Sequence, residues 1–337
     1  MIRITFKDVG QGDSVIVEWE KEKENKIAII DCKKAYKTNP VLDYIKEKNI
    51  HEIAFILLSH PHLDHCSGLT ELIEYCISHD IKIQYFLHTS NDMPNFWKAA
   101  IEGEEANTEI LRLFHIIREA QEKIGMKSHQ IQAEMIFNDF SLDDEYFIKI
   151  IAPTSKHLDN YAKNFTEPPF EEEAGNRPSA NWLATVIKIY SNKHDGYILL
   201  SSDSNKEAMF YNERNPDVFD GKLILAQCPH HGAEGNYKNA FWKLIRRNDK
   251  TPIVISVGDN IYGHPAERVI TDFNKNNYKI FSTNEIGALA SLKLSLEGKE
   301  ASIHLSTFGE VVATSKIDNL NGDKIFEIDS TGSVLAI

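Results

Sequence analysis

Short apolar segments alternate with turn sequences along the first part of the chain, and they predict strands joined by tight turns. Residues 2–6 alternate like a strand, and residues 14–19 and 27–32 are also strand-like. Residues 53–58 form a continuous apolar run, which is typical of a strand buried on both faces. Asn39-Pro40 predicts a helix start, because proline is favoured in the first helical turn. This order of elements indicates an α/β fold.

The second half of the chain shows the same alternation. Residues 182–190 and 197–200 predict a hairpin, since Lys193-His194-Asp195-Gly196 between them is a turn sequence. Further strands are predicted at residues 81–88, 135–137, 146–151, 223–226, 253–257 and 279–282, and further helices at residues 68–76, 241–246 and 266–273. No repeat, linker or low-complexity tract interrupts the pattern, so one decorated domain is the simplest organisation.

Two segments depart from this pattern. Residues from about 93 to 130 carry apolar side chains at helical spacing, which predicts an insertion of two helices. The end of the chain predicts short strands at residues 292–296, 302–305 and 324–328. We therefore expect one domain over residues 1–290 and a β-rich C-terminal extension over residues 291–337 packed on it. An acidic loop at residues 168–175 is predicted to be solvated rather than a lid.

Composition and charge narrow the function classes. The chain has 337 residues with 37 basic and 50 acidic side chains, for a net charge of −13. This charge argues against a broad nucleic-acid-binding face, although it leaves room for a local basic groove. The four cysteines show no paired spacing, which predicts reduced, buried thiols. No apolar run is long enough to span a membrane and no signal-peptide core is evident, so a cytoplasmic location is expected.

The sequence His60-Pro61-His62-Leu63-Asp64-His65 places three imidazoles and one carboxylate within six residues. Zinc, manganese and iron all accept these groups as ligands. The cluster follows the predicted buried strand at residues 53–58 and precedes a predicted helix. It therefore lies at the carboxyl end of a strand, where open α/β sheets place their sites. A turn with surface histidines is the alternative, and the density of ligand-type side chains disfavours it.

The pattern H-x-H-x-D-H resembles the first metal motif of the metallo-β-lactamase superfamily. Four further elements extend this resemblance to the ComEC-type branch of that fold. They are Asp8-Val9-Gly10-Gln11-Gly12-Asp13, Ser202-Asp203, His230-His231-Gly232 and Tyr262-Gly263-His264-Pro265. The resemblance covers residues from about 2 to 290. It implies a four-layer αββα metallo-β-lactamase sandwich, with metals held by loops along one sheet edge.

The resemblance also implies a ligand set for two divalent metal ions. The implied ligands are His60, His62, Asp64, His65, Asp203 and His264. His60 and His62 match the first metal, whereas Asp64 and His65 match the second. Asp203 matches the carboxylate that bridges both metals, and His264 the last ligand of the second. Asp31 is either an acid that orients a ligand from behind or an ordinary strand-end carboxylate.

One position departs from the family pattern. Many superfamily members carry a third histidine for the first metal just before the strand that leads to the bridging aspartate. Here that place holds Ser179-Ala180-Asn181-Trp182. Either Asn181 supplies an oxygen ligand or water fills the position, and His88, His129 and His157 are weaker candidates. The loss of an imidazole favours manganese or an exchangeable metal, with zinc as the alternative.

The resemblance implies hydrolysis by a hydroxide that two metal ions generate from a shared water. The predicted catalytic residues are Asp64, His230 and His231, and one of the two histidines would protonate the leaving group. The expected function is a phosphodiesterase, most simply a nuclease acting on DNA. The helical insertion is expected to cover one rim of this site.

Two other functions remain open from the sequence. One is a hydrolase for a lactone, ester or thioester, which the missing third histidine and the His230-His231 pair disfavour. The other is a catalytically weak binding subunit of a multi-protein system. The acidic charge leaves room for a protein partner that supplies a DNA-binding surface. The basic residues Lys238, Lys243, Arg246 and Arg247 are either a local nucleic-acid contact or a solvated helix face.

Overall fold

The computed structural model describes residues 1–89, 104–133, 139–166, 180–207, 216–291 and 321–337. Some predicted features lie outside these residues. They are the first helix of the insertion, the strand at 135–137, the acidic loop at 168–175 and the strands at 292–296 and 302–305.

The described residues form fifteen strands. They are β1 (Ile2–Phe6), β2 (Val15–Lys21), β3 (Glu24–Ile30), β4 (Glu52–Leu58), β5 (Lys82–His88), β6 (Lys127–Gln130), β7 (Asp139–Ser141), β8 (Tyr146–Ala152), β9 (Val186–Ser191), β10 (Gly196–Leu200), β11 (Lys222–Gln227), β12 (Pro252–Ile255), β13 (Lys279–Ser282), β14 (Lys324–Ile328) and β15 (Val334–Ala336).

Seven α-helices occur in the same residues. They are α1 (Pro40–Glu47), α2 (Leu63–Cys66), α3 (Leu69–Ser78), α4 (Glu104–Lys123), α5 (Ser155–Thr166), α6 (Asn239–Leu244) and α7 (Glu267–Lys275). The predicted start of α1 is confirmed, and the Asn39 side chain caps the helix by accepting a hydrogen bond from the backbone N–H of Leu42. Pro40 occupies the first turn of this helix, where no backbone N–H is needed.

The strands form two sheets. The first runs β15-β14-β1-β2-β3-β4-β5-β6, and the second runs β13-β12-β11-β10-β9-β8-β7. Strands β3 to β6 are parallel to one another, as are β10 to β13, and the other pairs are antiparallel. The predicted hairpin is confirmed as β9 and β10. Each sheet thus has a parallel half whose carboxyl ends share one edge.

Three apolar cores define four layers. One core joins the first sheet to α1, α3 and α4, through side chains such as Ile56 and Ile110. A second core fills the space between the sheets, where Ile4 and Ile189 pack. A third joins the second sheet to α6 and α7, around Trp242. The predicted αββα sandwich is therefore confirmed.

Alternation along β2 shows why both faces of the first sheet are covered. Ile16 belongs to the core under the helices, whereas its neighbours Val15 and Val17 belong to the core between the sheets. Successive strand side chains point to opposite faces, so a strand with two apolar faces needs a layer on each side.

Residues 127–130 correct the predicted extent of the helical insertion. Lys127–Gln130 is strand β6, which pairs in parallel with β5. These four side chains are polar and largely exposed because the strand lies at the sheet edge. The sequence therefore shows no hydrophobic pattern here that would predict a strand. Helix α4 packs against α3 in the outer helical layer.

The C-terminal strands are part of the first sheet. Strand β14 pairs antiparallel with β1, and β15 pairs with β14. Phe326 of β14 is fully buried. Its ring centroid lies 6.1 Å from that of Phe6 and 5.0 Å from that of Phe281. It therefore joins the two sheets through their shared core. The division of the chain at residue 290 stays a prediction.

Among the described helices, none has the length and apolar character that crossing a bilayer requires.

Replacing Phe326 with alanine tests this role. We expect Phe326→Ala to lower stability by about 3–5 kcal/mol, because a buried aromatic ring is lost and a cavity is left. Urea unfolding followed by tryptophan fluorescence measures it. Leu335→Ala is the matched control, since Leu335 of β15 is 62% exposed. Equal unfolding midpoints for the two variants would show that β14 is dispensable.

Candidate metal centre

Loops from both sheets meet at the carboxyl ends of their parallel strands. Asp31 follows β3, the cluster His60–His65 follows β4, and Asp203 follows β10. His230 and His231 follow β11. Contacts between these side chains bring the loops into one neighbourhood. This is the edge at which open α/β sheets bind their ligands.

A single helical turn arranges the histidine cluster. Helix α2 begins directly after His62, whose carbonyl accepts from the backbone N–H groups of His65 and Cys66. The turn brings Asp64 and His65 onto the side of the loop that faces Asp203. The short helix explains how a linear motif becomes a convergent group of side chains.

Asp203 is the centre of the cluster. It is buried, and ring nitrogens of four histidines lie within 4 Å of its carboxylate oxygens. The distances are 3.9 Å for His60, 3.5 Å for His65, 3.4 Å for His230 and 3.3 Å for His231. Burial opposes charge on Asp203, but the imidazoles of His231, His65 and His230 outweigh it and hold the pKa of Asp203 well below its ordinary value.

The ring of His65 is oriented from behind by Asp31. His65 Nδ1 lies 2.7 Å from Asp31 Oδ2, and the same carboxylate accepts from the backbone N–H and the hydroxyl of Ser59. This places the Nδ1 proton toward Asp31 and leaves Nε2 for the centre. Asp31 therefore makes the contacts expected of an acid that orients a ligand.

The ring of His231 is oriented by a backbone carbonyl. His231 Nδ1 donates to the carbonyl oxygen of Ser256 at 2.7 Å. Its Nε2 then faces Asp203 Oδ1 at 3.3 Å and Asp64 Oδ2 at 3.6 Å. The geometry is that of a metal ligand, although the sequence suggested either histidine of this pair as a proton donor.

Two groups of ligand atoms share Asp203. The first comprises His60, His62 and Asp203, and the second comprises Asp64, His65, Asp203 and His231. Within each group the ligand atoms lie within 4.8 Å of one another. The described groups of this kind include His231 but not His264.

The spacing of these atoms fits a metal ion. His65 Nε2, His231 Nε2 and Asp203 Oδ1 are buried and make no hydrogen bond within the described structure. A buried polar atom without a hydrogen-bond partner lowers the stability of the fold, and a bound ion would serve as the partner of these atoms. Tetrahedral ligands at 2.0–2.1 Å from zinc stand about 3.3 Å apart. His60 Nε2 and His62 Nδ1 are 3.1 Å apart, close to that separation.

Protonation differs between the two groups. Burial, followed by the neighbouring imidazoles of His65 and His62, lowers the pKa of His60 well below its ordinary value, and burial lowers that of His62. Burial also opposes charge on His65 and His231, but nearby carboxylates outweigh it. Asp203 and Asp31 raise the pKa of His65 well above its ordinary value, and Asp203 and Asp64 raise that of His231 to about 9. Without a metal, protons on these two rings offset the buried carboxylates.

Backbone conformation at the centre is unusual. Four residues other than glycine have left-handed φ values there: Asp31 (58°), Ser202 (45°), His230 (48°) and His231 (52°). Such conformations cost about 1–3 kcal/mol each and cluster at functional sites. The folded loops therefore hold these side chains in place at a cost in backbone energy.

Sequence reasoning missed a supporting network beneath Asp203. Gln227 Oε1 accepts from the backbone N–H groups of Ser201 and Ser202, at 3.1 and 3.0 Å. Its Nε2 donates to Asp13 Oδ2 at 2.8 Å. Burial raises the pKa of Asp13. Asp13 ends the DVGQGD turn and was within reach of motif analysis, but nothing in the sequence singles out Gln227.

Gly12 shows why the DVGQGD turn needs glycine. Its φ is 141°, and a Cβ there would lie 2.3 Å from the backbone oxygen of Asp64. The neighbouring Asp13 N–H donates to that same oxygen at 3.0 Å. The turn thus packs directly against the histidine cluster, and a side chain at Gly12 would force them apart.

Three predicted residues lie at the outer side of the centre. The His230 side chain is 26% exposed, compared with 2% for His231. Asn181 contacts His230, with 3.3 Å between its Nδ2 and His230 Nδ1. His264 also lies beside His230, with 5.5 Å between ring centroids. The ligand roles of Asn181 and His264, like those of the other residues that the resemblance names, stay predictions.

The weaker candidates have other neighbours. His88 lies 3.1 Å from the Ser128 hydroxyl, and His157 contacts Thr154. In the predicted basic cluster, Arg246 forms an ion pair with Asp195, and its carbonyl accepts from Leu223 near the amino end of β11. That end is opposite to His231, so Arg246 does not line the centre.

No protein-family model and no curated protein matches the chain. Several solved structures are similar. The metallo-beta-lactamase fold protein YhfI from Bacillus subtilis aligns over 84% of this chain and 96% of its own, with 10% identity and a TM-score of 0.46. A diphosphatase from the PhnP family aligns over 84% and 86%, with 11% identity and a TM-score of 0.38. A long form RNase Z from yeast aligns over 78% and 38%, with 9% identity and a TM-score of 0.41. Likenesses this remote carry no argument about activity, and the ComEC-type branch stays a prediction.

Metal binding should release protons. The pKa of His231 stands at about 9 in the metal-free protein, and a histidine must be neutral to bind a metal. We expect Mn²⁺ or Zn²⁺ to displace about one proton or more at pH 7.5, and metal affinity to rise as pH increases toward 9. Calorimetry in two buffers of different ionisation enthalpy measures the release.

His231→Ala should reduce this proton release, whereas His79→Ala should not, since His79 stacks on Tyr75 away from the centre. Binding of the metal with no buffer dependence of the heat would contradict the assignment.

Proposed function

We propose that the protein is a metal-dependent hydrolase that cleaves phosphodiester bonds, with nucleic acid, and DNA first, as the substrate class. The observation that carries the proposal is Asp203, a buried carboxylate shared by two groups of ligand atoms, in the second of which the Nε2 atoms of His65 and His231 make no hydrogen bond. A partly exposed histidine, His230, stands beside it. Phosphodiester hydrolysis of the two-metal type uses a place for paired cations and a proton donor for the leaving group.

The residues divide into two proposed metal positions. His60, His62 and Asp203 would hold the first ion. Asp64, His65, Asp203 and His231, whose ligand atoms lie within 4.8 Å of one another, would hold the second. Bound divalent ions supply Lewis acidity and an ionised water at neutral pH. In this proposal His231 takes the ligand role that the resemblance implied for His264.

The surrounding hydrogen bonds fix the ligand orientations before any substrate arrives. Asp31 and the carbonyl of Ser256 hold the Nδ1 protons of His65 and His231, so both Nε2 atoms stay available. Ser59 contacts Asp31 and also accepts from the Ser202 hydroxyl, which ties the first sheet's loops to the Asp203 turn. Fixed orientation lowers the reorganisation needed during the reaction.

His230 is the proposed proton donor. Its Nδ1 lies 3.3 Å from the Asn181 side-chain amide, and its Nε2 lies 3.4 Å from Asp203 Oδ2 and faces the centre. When water attacks phosphorus, the bond from phosphorus to the leaving oxygen breaks, and that oxygen takes a proton from Nε2 of the His230 imidazolium, which becomes a neutral imidazole. Asn181 acts as a positioning residue for this ring.

The charge of the chain favours recognition at the centre itself. A net charge of −13 repels the phosphate backbone over most of the surface. Cations held by the cluster would provide local positive charge where the scissile phosphate binds. This arrangement suits the binding of one or a few nucleotides at the centre better than binding along a long duplex.

Cleavage assays with several metals test the proposal. We expect Mn²⁺ or Zn²⁺ to stimulate hydrolysis of single- or double-stranded DNA and of a simple phosphodiester. Asp203→Asn should lower the rate by at least about 100-fold, because it removes the shared charged ligand. Asp249→Asn is the control, since Asp249 is an exposed acid near the amino end of β12.

Two results would contradict the proposal. One is hydrolysis of lactone, ester or thioester substrates with every phosphodiester left intact. The other is full metal loading with no hydrolysis at all, which would favour a binding subunit.

The role of His230 can be separated from that of His231. We expect His230→Ala to slow cleavage of DNA by about 10²–10⁴-fold, because its alkoxide leaving group needs a proton. A p-nitrophenyl ester of thymidine phosphate should be slowed far less, because p-nitrophenolate leaves without protonation. His231→Ala should slow both substrates alike. Equal losses for both substrates in His230→Ala would remove the general-acid assignment.

A further inference from the structure

Two large apolar side chains project into solvent beside the candidate metal centre. Ile261 is 95% exposed and Tyr262 is 69% exposed, on the loop between β12 and α7. Exposed aromatic and aliphatic side chains are common singly, but a pair at the mouth of a site marks a contact surface. Neither the metal centre nor the apolar cores account for the exposure of these two side chains.

Hydrogen bonds hold this loop in one conformation. Asn260 Nδ2 donates to the carbonyl oxygens of Gly258 and His264, at 2.8 and 2.9 Å. Asn260 Oδ1 accepts from the backbone N–H groups of Tyr262 and His264, both at 3.1 Å. Four bonds from one side chain therefore fix the loop and present Tyr262 outward. A ligand that contacts a fixed loop loses less free energy to ordering it.

The Tyr262 ring lies near the proposed proton donor, His230, with the His264 ring between them. It lies nearly parallel to the His264 ring, at 23° with centroids 5.9 Å apart. His264 in turn lies 5.5 Å from His230, the proposed proton donor. A flat group that stacks on Tyr262 would therefore sit next to a phosphate held at the centre.

We propose that the exposed Tyr262 ring is a nucleobase subsite, on which a base of the substrate stacks. The proposal rests on the proposed function, because the base belongs to a nucleotide whose phosphate lies at the centre. Aromatic stacking accepts any base, since every base has a flat π face.

Fluorescence of a base analogue tests the subsite directly. The probe is a trinucleotide with a central 2-aminopurine and phosphorothioate linkages, titrated with the full-length protein in Mn²⁺. We expect stacking to quench its fluorescence in the wild type and in Tyr262→Phe. Tyr262→Leu should bind the probe about 5- to 100-fold more weakly and lose the quenching. Tyr85→Leu is the matched control, because Tyr85 is a partly exposed tyrosine on β5.

An abasic trinucleotide separates this proposal from hydrolysis itself. The wild type should bind it about as weakly as Tyr262→Leu binds the base-containing probe. Equal binding of abasic and base-containing probes, or full quenching by Tyr262→Leu, would overturn the subsite even if DNA is cleaved. Tyr262-dependent quenching in a protein that cleaves no phosphodiester would support the subsite and overturn the proposed function instead.

Discussion

The buried carboxylate of Asp203 is the constraint on which the rest of the sheet edge depends. An unpaired charge in the interior costs several kcal/mol, and this one is balanced by four imidazole rings within 4 Å. Those rings come from loops on both sheets, so the sandwich must bring the carboxyl ends of its parallel strands together. A fold that failed to do so would leave the charge without compensation. The centre is therefore a condition of the folded state as well as a candidate reaction site.

Support for the centre comes from groups that face away from it. Asp31 and Ser256 fix two histidine rings through their Nδ1 atoms, and Gln227 ties the Asp203 turn to Asp13 in the DVGQGD turn. Each contact joins segments far apart in sequence. The left-handed φ values around the centre show that these contacts hold the backbone in conformations it would otherwise avoid. Rigid support of this kind holds the ligand atoms of the centre close together in fixed positions, as metal binding and catalysis both require.

Local pattern was enough to predict most elements. The residues that the resemblance named as ligands, His60, His62, Asp64, His65 and Asp203, do lie close together, and their ligand roles stay predictions. The apolar run before His60 and the density of ligands after it placed that loop at a strand end, and Asn39-Pro40 predicted a real helix start. Tertiary contacts account for the rest. Strand β6 is polar because it is an edge strand, and β14 pairs with β1 across the length of the chain. The ligand-like placement of His231 depends on the carbonyl of Ser256, which no linear motif encodes.

Anomalous X-ray scattering from crystals grown with Mn²⁺ or Zn²⁺ tests the central claim most directly. The account predicts two ions about 3.5–4 Å apart that share the Asp203 carboxylate. One should be bound by His60 and His62, and the other by His65 and His231. Crystals that bind these metals only elsewhere, with the His65 and His231 Nε2 atoms left free, would contradict it.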